Sequence, residues 1–512
     1  DIDHVWTLSE AYCARSWWPC KDDPSDKADS VNIKVTVPSQ PEFIVASNGL
    51  LESTEFNGDK RTFFWKERYP ITTYLVSLAI YPYTIWSEQY ISPISNDTMA
   101  IEHYVFPDRY ELSYPNYSLT GEMLSFFSNL FGEYPFISEK YGHADFKWGG
   151  GMEHQTLSSM GSFSQNLIVH ELGHSWWGNL ITCKTFNDIW LNEGFARYCQ
   201  ALWVENIDGK QAYFNFMNDH AYYGGGTIYV ENPSSNSQIF NASLSYNKAS
   251  WVLHMLRHKV GDEMFFEILK EYASNDSLAY NAASTADFQK VCEDISGTDF
   301  EQFFQQWIYG DRYPKYELSW WSDENDIYKV KIDQIQSYGI FSMPIDLNFS
   351  GSVGPLSVDT TIVVENNTAS HLYEISGLDF FVENVTIDPN NWILKEATYV
   401  TNGIENILAK QINVDFAYPN PFNSTSVDIA YPNPFNSTSN LNFYIHPKFG
   451  DLLVEINVLD AKGRLVESIV KKEFNPGFHT QLWNAKGKPS GIYFIQLSTD
   501  NYINTQKVLY LK

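Results

Sequence analysis

The chain has 512 residues, of which 44% are apolar and 19% charged, and its net charge is −28. This length predicts several domains, and the apolar share excludes wholesale disorder. A surface this acidic repels nucleic-acid phosphates, and no apolar run is long enough to cross a bilayer, so we expect neither a nucleic-acid partner nor a membrane span.

Strand-like and helix-like segments follow one another in blocks. Alternating β-branched and aromatic runs predict strands up to about residue 90, and helical periodicity dominates from about 101 to 310. Alternation returns from Tyr316 to about Lys395, and short strands with Lys-Gly turns end the chain. The predicted fold class is multidomain α+β: an N-terminal β-domain, a mainly helical domain, a β-sandwich and a C-terminal all-β module.

A short duplication separates the last two blocks. AYPNPFNSTS occurs at 417–426 and again at 430–439. Two copies this close cannot stack a core, so we interpret them as a locally duplicated linker. The predicted domains are the N-terminal β-domain at 1–95, the mainly helical domain at 96–313, the β-sandwich at 314–398, the linker at 399–439 and the last module at 440–512.

The pentapeptide HELGH at 170–174 is an H-E-x-x-H motif within a helical pattern. Its spacing places His170 and His174 one turn apart on one helix face, where they can bind one zinc ion. A catalytic zinc needs a third protein ligand, and Glu193 in the next helical pattern, WLNEGFARY, completes a His₂Glu set. Zinc in such a site polarises a scissile carbonyl and acidifies water. Glu171 would take the water proton as general base and deliver it to the leaving amine.

Local signals around these ligands predict how they are held. Ser162 and Gln165, three positions apart, predict a capping box at the start of the motif helix. Asp188 and Asn192 are candidates for orienting a ligand histidine, with exposed loop residues as the equal alternative.

Several motifs occur in a fixed order, namely ARSWWPCKDDPSDKA at 14–28, GGGMEH at 149–154, HELGH, NEGFA at 192–196 and YNK at 246–248. Together they resemble the gluzincin zinc aminopeptidases of the aminopeptidase N family, and the resemblance runs to about residue 395. It implies a thermolysin-like catalytic domain, one catalytic zinc ion and peptide substrates with a free N-terminus.

The resemblance also implies roles for five residues. Glu153 would anchor the substrate α-amine, and backbone at Gly150 and Gly151 would hold the peptide as an extended strand. Tyr246 would donate to the oxyanion. His154 replaces the asparagine usual at that position, so we expect a substrate contact that can titrate.

Two differences from the family are expected to affect the site. We expect the N-terminal β-domain to be truncated at its start. The helical domain that follows the β-sandwich in many relatives has no counterpart between 395 and 512, which predicts a more open site.

The segment Y-P-N-P-F, at 418–422 and 431–435, precedes the terminal strands. It resembles the start of C-terminal sorting domains of the type IX secretion system. The resemblance implies a secreted or cell-surface bacterial protein whose tail binds that secretion machinery. An ordinary β-sandwich that binds a surface partner is the alternative.

Two kinds of residue pair are secondary candidates. In an exported protein, disulfides are conceivable between Cys13 and Cys20 or between Cys183 and Cys199. His254 and His258, four apart on a helix, are interpreted as a surface or packing pair rather than a second metal site.

The sequence therefore predicts a zinc-dependent aminopeptidase that hydrolyses N-terminal peptide bonds. A zinc endopeptidase is one alternative, and it would not need Glu153. A non-catalytic extracellular peptide-binding protein on the same scaffold is another, and it would not need Glu171. Nothing in the sequence favours a leukotriene-hydrolase-like epoxide activity.

Overall fold

The computed structural model describes residues 3–322, 327–353, 356–400, 436–445, 451–475, 477–499 and 502–511. The chain divides into two compact units, the first formed by Asp1–Pro314, Phe341–Pro344 and Asn390–Glu396, and the second by the rest. Both copies of Y-P-N-P-F lie outside the described residues, as does nearly all of the predicted linker, which therefore stays a prediction.

The first unit begins with two small antiparallel sheets. Their strands are β1 (Val5–Trp6), β2 (Val31–Pro38), β3 (Ile44–Ser47), β4 (Leu50–Asn57), β5 (Lys60–Glu67) and β6 (Leu78–Tyr81). The sheet orders are β1-β6-β3 and β2-β5-β4. Alternation in the sequence of β2 turns every second side chain inward, and Val37, Phe63 and Trp65 join one apolar core. Within this predicted stranded block, Thr73–Leu75 form a 3₁₀ turn ahead of β6.

A five-stranded mixed sheet follows. Its strands are β7 (Thr84–Ile91), β8 (Thr98–Val105), β9 (Lys140–Asp145), β10 (Gly151–Met152) and β11 (Ser158–Met160). The order is β10-β11-β9-β8-β7, which leaves β10 at an edge of the sheet. The predicted domain boundary at residue 95 falls in the turn between β7 and β8, which pair with each other.

Helices dominate the rest of this unit, as the periodicity predicts. They are α1 (Tyr110–Tyr117), α2 (Thr120–Phe131), α3 (Gln165–Gly173), α4 (Trp190–Asp208), α5 (Lys210–Asp219), α6 (Asn236–Ile239), α7 (Ala249–Val260), α8 (Asp262–Ser274), α9 (Thr285–Ser296) and α10 (Glu301–Trp307). A π-helical turn at Ala242–Lys248 leads into α7. Strands β12 (Ile181–Cys183) and β13 (Asn281–Ala283) pair in parallel.

Glycines allow α4 to approach its neighbours closely. A Cβ on Gly194 would lie 2.5 Å from the Cβ of Ala249 in α7, and a Cβ on Gly173 would lie 3.0 Å from the Cβ of Cys199. The absence of these side chains lets α3, α4 and α7 pack with short separations. Helices α3 and α4, which carry the motif residues, are therefore held close together.

The second unit is built from strands. Those of its first part are β14 (Lys315–Ser322), β15 (Tyr328–Gln334), β16 (Met343–Val353), β17 (Leu356–Asn366), β18 (Ser370–Ile375), β19 (Phe381–Ile387) and β20 (Glu396–Tyr399), in sheets of order β18-β15-β14-β20 and β17-β16-β19.

The terminal strands are β21 (Thr438–Ile445), β22 (Leu452–Asp460), β23 (Leu465–Phe474), β24 (Gly477–Asn484), β25 (Gly491–Thr499) and β26 (Tyr502–Tyr510). They form sheets of order β21-β24 and β23-β22-β25-β26, and inward residues such as Ile456, Trp483 and Ile495 share one core.

The structure also shows the state of the cysteine and histidine pairs. All five cysteines are free thiols, so neither conceivable disulfide forms. His254 is buried in α7, where its ring stacks on Trp392, as expected of a packing residue. Within the described ranges, no helix has both the length and the apolarity that crossing a bilayer requires.

Candidate metal centre and active site

The helix that carries the H-E-x-x-H motif begins at Gln165. Its N-cap is Ser164, whose side chain accepts a hydrogen bond from the backbone N–H of Leu167. The predicted capping box from Ser162 is therefore wrong. The chain is still extended at Ser164, so the first helical turn starts later than that pattern requires.

Three side chains converge at the end of this helix. His170 lies within α3, His174 ends it one turn later, and Glu193 lies in the first turn of α4. The two Nε2 atoms are 3.2 Å apart, and Glu193 Oε2 lies 3.2 Å from His170 Nε2 and 3.3 Å from His174 Nε2. A tetrahedral zinc ion with bonds of about 2.0–2.1 Å separates its ligand atoms by roughly 3.3 Å. The donor set therefore fits a single zinc ion.

A backbone carbonyl orients His174. Its Nδ1 lies 2.9 Å from the Trp177 oxygen and donates to it, which directs Nε2 toward the other two donor atoms. The predicted orienting residues do not do this. Asp188 accepts hydrogen bonds from Thr285, and Asn192 contacts a tyrosine hydroxyl and a backbone N–H.

The centre stabilises positive charge. Burial lowers the pKa of His174, but the carboxylates of Glu153 and Glu193 outweigh it and raise that pKa to about 10. Glu153 approaches the ring from the other side, with its Oε1 4.0 Å from Nδ1, the nitrogen already committed to the Trp177 carbonyl. The point between His174 Nε2 and Glu193 is therefore the favourable position for a cation.

Four buried carboxylates surround this point: Glu10, Glu153, Glu171 and Glu193. Burial raises the pKa of Glu10, Glu153 and Glu171, and repulsion from neighbouring carboxylates adds to the rise. Oε1 of Glu10 and Oε1 of Glu153 have no hydrogen-bond partner among the described residues. A buried acidic cluster with unpartnered oxygens is suited to bind cations.

Gly151 makes room for Glu171. A Cβ at this position would overlap the Glu171 carboxylate, so only glycine leaves that side chain in place. The adjacent Gly150 carbonyl accepts a hydrogen bond of 2.8 Å from the Gly161 N–H, which ties the loop to the sheet. The glycines thus set edge strand β10 directly beside the motif helix.

Tyr246 lies in the π-helical turn. Its ring stacks on that of His170, with 5.9 Å between centroids and 17° between planes. Burial raises the pKa of Tyr246 well above its usual range, so its hydroxyl stays protonated and can donate. Single π-helical turns are common at functional sites because they redirect one side chain out of the helical repeat.

His154 is not brought to the site. It is buried, with its Nδ1 2.8 Å from Ser159 Oγ, and it lines neither of the two cavities described below. Successive side chains in extended backbone point to opposite sides, so Glu153 faces the cavity and His154 faces away. Burial lowers the pKa of His154 to about 3, so the expected titration near neutral pH is also wrong.

Two cavities meet at the ligand set and share Trp148, Gly151, His170, Glu171 and Tyr246. The first, of about 300 Å³, adds Leu8, Glu10, Met152, Glu153, His174, Glu193, Asn236 and Phe240. The second, of about 400 Å³, adds Gly149, Gly150, Ser162, Ser164, Asn166, Leu167, Arg197 and Gln200.

Several of these lining residues were not anticipated from the sequence. Glu10, Leu8 and Phe240 come from loops that carry no motif. Arg197 had a detectable signal, because it lies one helical turn after Glu193 in the same sequence pattern.

The site combines two histidine donors on α3, a glutamate donor on the next long helix and an edge strand beside them. This combination defines the zinc metallopeptidase class. Comparison with known families makes the assignment specific. The peptidase family M1 domain matches residues 120–307, and the peptidase M1 N-terminal domain matches residues 3–75. The secretion system C-terminal sorting domain matches residues 429–511. The chain belongs to the M1 peptidase family, and its terminal strands form a sorting domain.

Curated relatives are aminopeptidases. The chain is 26% identical over 337 residues to aminopeptidase M1-C of Oryza sativa subsp. japonica, covering 60% of this chain and 37% of that protein. It is 27% identical over 340 residues to glutamyl aminopeptidase of Rattus norvegicus, covering 60% and 34% respectively. The chain thus spans about a third of the length of these relatives.

Solved structures agree with the fold. Legionella pneumophila aminopeptidase A, crystallised with aspartic acid, matches with a TM-score of 0.70 at 15% identity, over 79% of this chain and 49% of that one. A mutant of a Deinococcus radiodurans M1 zinc metallopeptidase, bound to a Tyr-Ser-Ala substrate, matches with a TM-score of 0.50 at 26% identity, over 60% and 69%.

Proposed function

We propose that this protein is a zinc-dependent aminopeptidase, which hydrolyses the N-terminal peptide bond of peptides. His170, His174 and Glu193 would hold one zinc ion, since their donor atoms have the spacing of a tetrahedral site. The bound ion supplies a Lewis acid that polarises the scissile carbonyl and acidifies water.

Two side chains then perform the proton chemistry. Glu171, held against Gly151, takes a proton from the attacking water and passes it to the departing amine. The Tyr246 hydroxyl, which burial keeps protonated, donates a hydrogen bond to the oxygen that becomes negative in the tetrahedral intermediate.

The observation that carries the exopeptidase assignment is the pair of unpartnered carboxylate oxygens in the first cavity. Glu10 and Glu153 are buried beside the ligand set, and in the part of the chain that the structure describes neither Oε1 has a hydrogen-bond partner. A free α-ammonium group would satisfy both and would place the first peptide bond at the metal. The aminopeptidase names of the relatives, and the tripeptide bound to the Deinococcus enzyme, support the same substrate class.

Backbone of the edge strand would align the peptide. Strand β10 lies at the end of its sheet, and Gly150 and Gly151 line the cavities on either side of Glu171. An extended peptide can add to such an edge by main-chain hydrogen bonds. The absence of side chains at these two glycines permits the close approach that this pairing needs.

The test compares a panel of free-amine aminoacyl anilides with the same compounds N-acetylated, using zinc-loaded protein. We expect cleavage of the free amines only, lost in Glu171→Gln and after removal of zinc by a chelator. Equal cleavage of acetylated compounds would instead establish the endopeptidase alternative. Absence of cleavage by folded, zinc-bound protein would favour the peptide-binding alternative.

We also propose the domain layout and destination. The predicted ranges 1–95, 96–313, 314–398 and 440–512 would be an N-terminal β-domain, a thermolysin-like catalytic domain, a β-sandwich and a sorting module. The sorting-domain match supports export by the type IX machinery of a bacterium, to the cell surface or the medium.

A further inference from the structure

Arg197 brings a positive charge into the second cavity. It lies one turn after Glu193 on α4, and its guanidinium carbon is 5.9 Å from the Tyr246 ring centroid. One terminal nitrogen donates to Gln200 Oε1 over 2.9 Å, while Nε is buried and has no partner in the described part of the chain. Arg197 as a whole is half-buried, but a buried Nε donor without a partner is costly unless a ligand completes it.

The charges of the two cavities are opposite in kind. The first is lined by Glu10, Glu153 and Glu193 and, among the residues that the structure describes, by no lysine or arginine, whereas Arg197 lines the second. Within the described ranges, Glu171, the proposed general base, is the one carboxylate that lines the second cavity. Glu193 is the acid that stabilises the Arg197 charge, and its carboxylate is engaged with the ligand histidines. A molecule with an ammonium group at one end and a carboxylate at the other would match this polarity.

The distance between Glu193 and Arg197 limits the length of that molecule. One helical turn from Glu193 to Arg197 corresponds to about 6 Å along the axis. Each residue of an extended peptide advances by at most about 3.3–3.6 Å. A carboxylate that meets Arg197 would therefore lie one or two residues beyond the hydrolysed bond.

We propose that Arg197 binds the C-terminal carboxylate of dipeptides and tripeptides, which makes short zwitterionic peptides the preferred substrates. This inference rests on the proposed aminopeptidase function and names its substrate class. Guanidinium and carboxylate groups form paired, charge-assisted hydrogen bonds, and Nε is one of the donors that such a pair uses.

The experiment measures binding without turnover. Zinc-loaded Glu171→Gln protein is titrated calorimetrically with Leu-Gly, Leu-Gly-Gly and their C-terminal amides, leucine being chosen for the apolar walls Leu8, Met152 and Phe240. We expect the free acids to bind about tenfold more tightly than the amides. In the double variant with Arg197→Gln, acid and amide should bind alike, and Arg197→Lys should restore part of the difference.

Arg68→Gln is the matched control, since this exposed arginine pairs with Glu52 and lines neither cavity. It should keep the full preference for the acid.

Three results would overturn the inference. They are equal binding of acid and amide to the parent protein, a preference for the acid that survives Arg197→Gln, and no binding of either peptide. If Leu-Gly-Gly-Gly-Gly showed the same preference for the free acid over the amide as the dipeptide and tripeptide, the proposed length limit would be overturned. The aminopeptidase proposal fails by a different result, namely that the free-amine anilides are not cleaved. The difference in binding between acid and amide can still be measured in that case.

Discussion

Glu10 and Glu153 reach one cavity from distant parts of the chain. Glu10 lies in the turn after β1, and Glu153 follows edge strand β10. The motif resemblance drew attention to Glu153, whereas nothing around Glu10 in the sequence indicated a site. A single buried carboxylate can be compensated by a nearby histidine, whereas two with oxygens that lack a hydrogen-bond partner among the described residues form a place where an external cation can bind.

Replacing Glu10 by glutamine should weaken substrate binding more than turnover. The neutral amide keeps the shape but loses one charge-assisted contact to the substrate ammonium group. We expect kcat/KM for free-amine anilides to fall about tenfold, mainly through a higher KM. Steady-state kinetics on the purified variant check this.

Glu55→Gln is the control for that experiment, because it removes an equivalent charge from an exposed position on β4. Its kinetic constants should match those of the parent. An unchanged KM in the Glu10 variant would show that Glu153 alone holds the amine.

Helices α3 and α4 illustrate what local sequence predicts well. Their 3.6-residue periodicity and the His-x-x-x-His spacing depend only on neighbours along the chain. The π-helical turn that carries Tyr246 could not be predicted from such local spacing. This turn packs against α4, a separate segment of the chain, and no spacing between near neighbours indicates a π-helical turn here.

Helix α7 carries a buried histidine that couples stability to pH. His254 is buried, with its Nδ1 accepting from the Tyr213 hydroxyl over 2.6 Å and its Nε2 donating to the Asn391 carbonyl over 3.2 Å. Burial lowers its pKa to about 3, although the hydrogen bond to Asn391 opposes this. The unfolded chain, with a histidine pKa near 6.5, therefore binds a proton more readily than the folded chain between these two values.

Acidification from pH 7 to pH 5 should therefore destabilise the protein through this residue. The stabilising contribution is essentially complete above pH 6.5 and is lost as the pH falls toward 3, and about 2 kcal/mol of it has been lost at pH 5. His254→Gln keeps a donor and an acceptor without titrating, so its unfolding free energy should fall by about 2 kcal/mol less over the same interval. Urea unfolding followed by tryptophan fluorescence at both pH values provides the comparison, and identical losses in the two proteins would contradict the assignment.

At the scale of the whole molecule, the chain separates into a first unit that contains every residue of the candidate site and a second unit built of strands. The sorting domain at 429–511 belongs to the second unit. Each unit has its own apolar core, which is the property expected of parts with separate tasks.

Removing residues 429–512 should separate location from catalysis. In a bacterium with a type IX system, the truncated protein should remain inside the cell while its lysate cleaves anilides at a rate close to that of the full chain. Fractionation with an activity assay and an immunoblot measures both properties. Full-length Glu171→Gln serves as the converse control, since it should leave the cell without activity, and export of the truncated protein would refute the role of the tail.

The sequence by itself predicted the three candidate ligands His170, His174 and Glu193, the candidate general base Glu171 and the order of helical and stranded blocks, because these follow from spacing between near neighbours. It could not determine that Trp177 rather than Asp188 orients His174, that His154 faces away from the cavity, or that Glu10 and Arg197 give the two cavities opposite charge. Those features depend on contacts between segments distant along the chain and on the burial that those contacts create. Only the tertiary structure decides which side of a backbone meets the cavity and which buried polar atoms are left for a ligand.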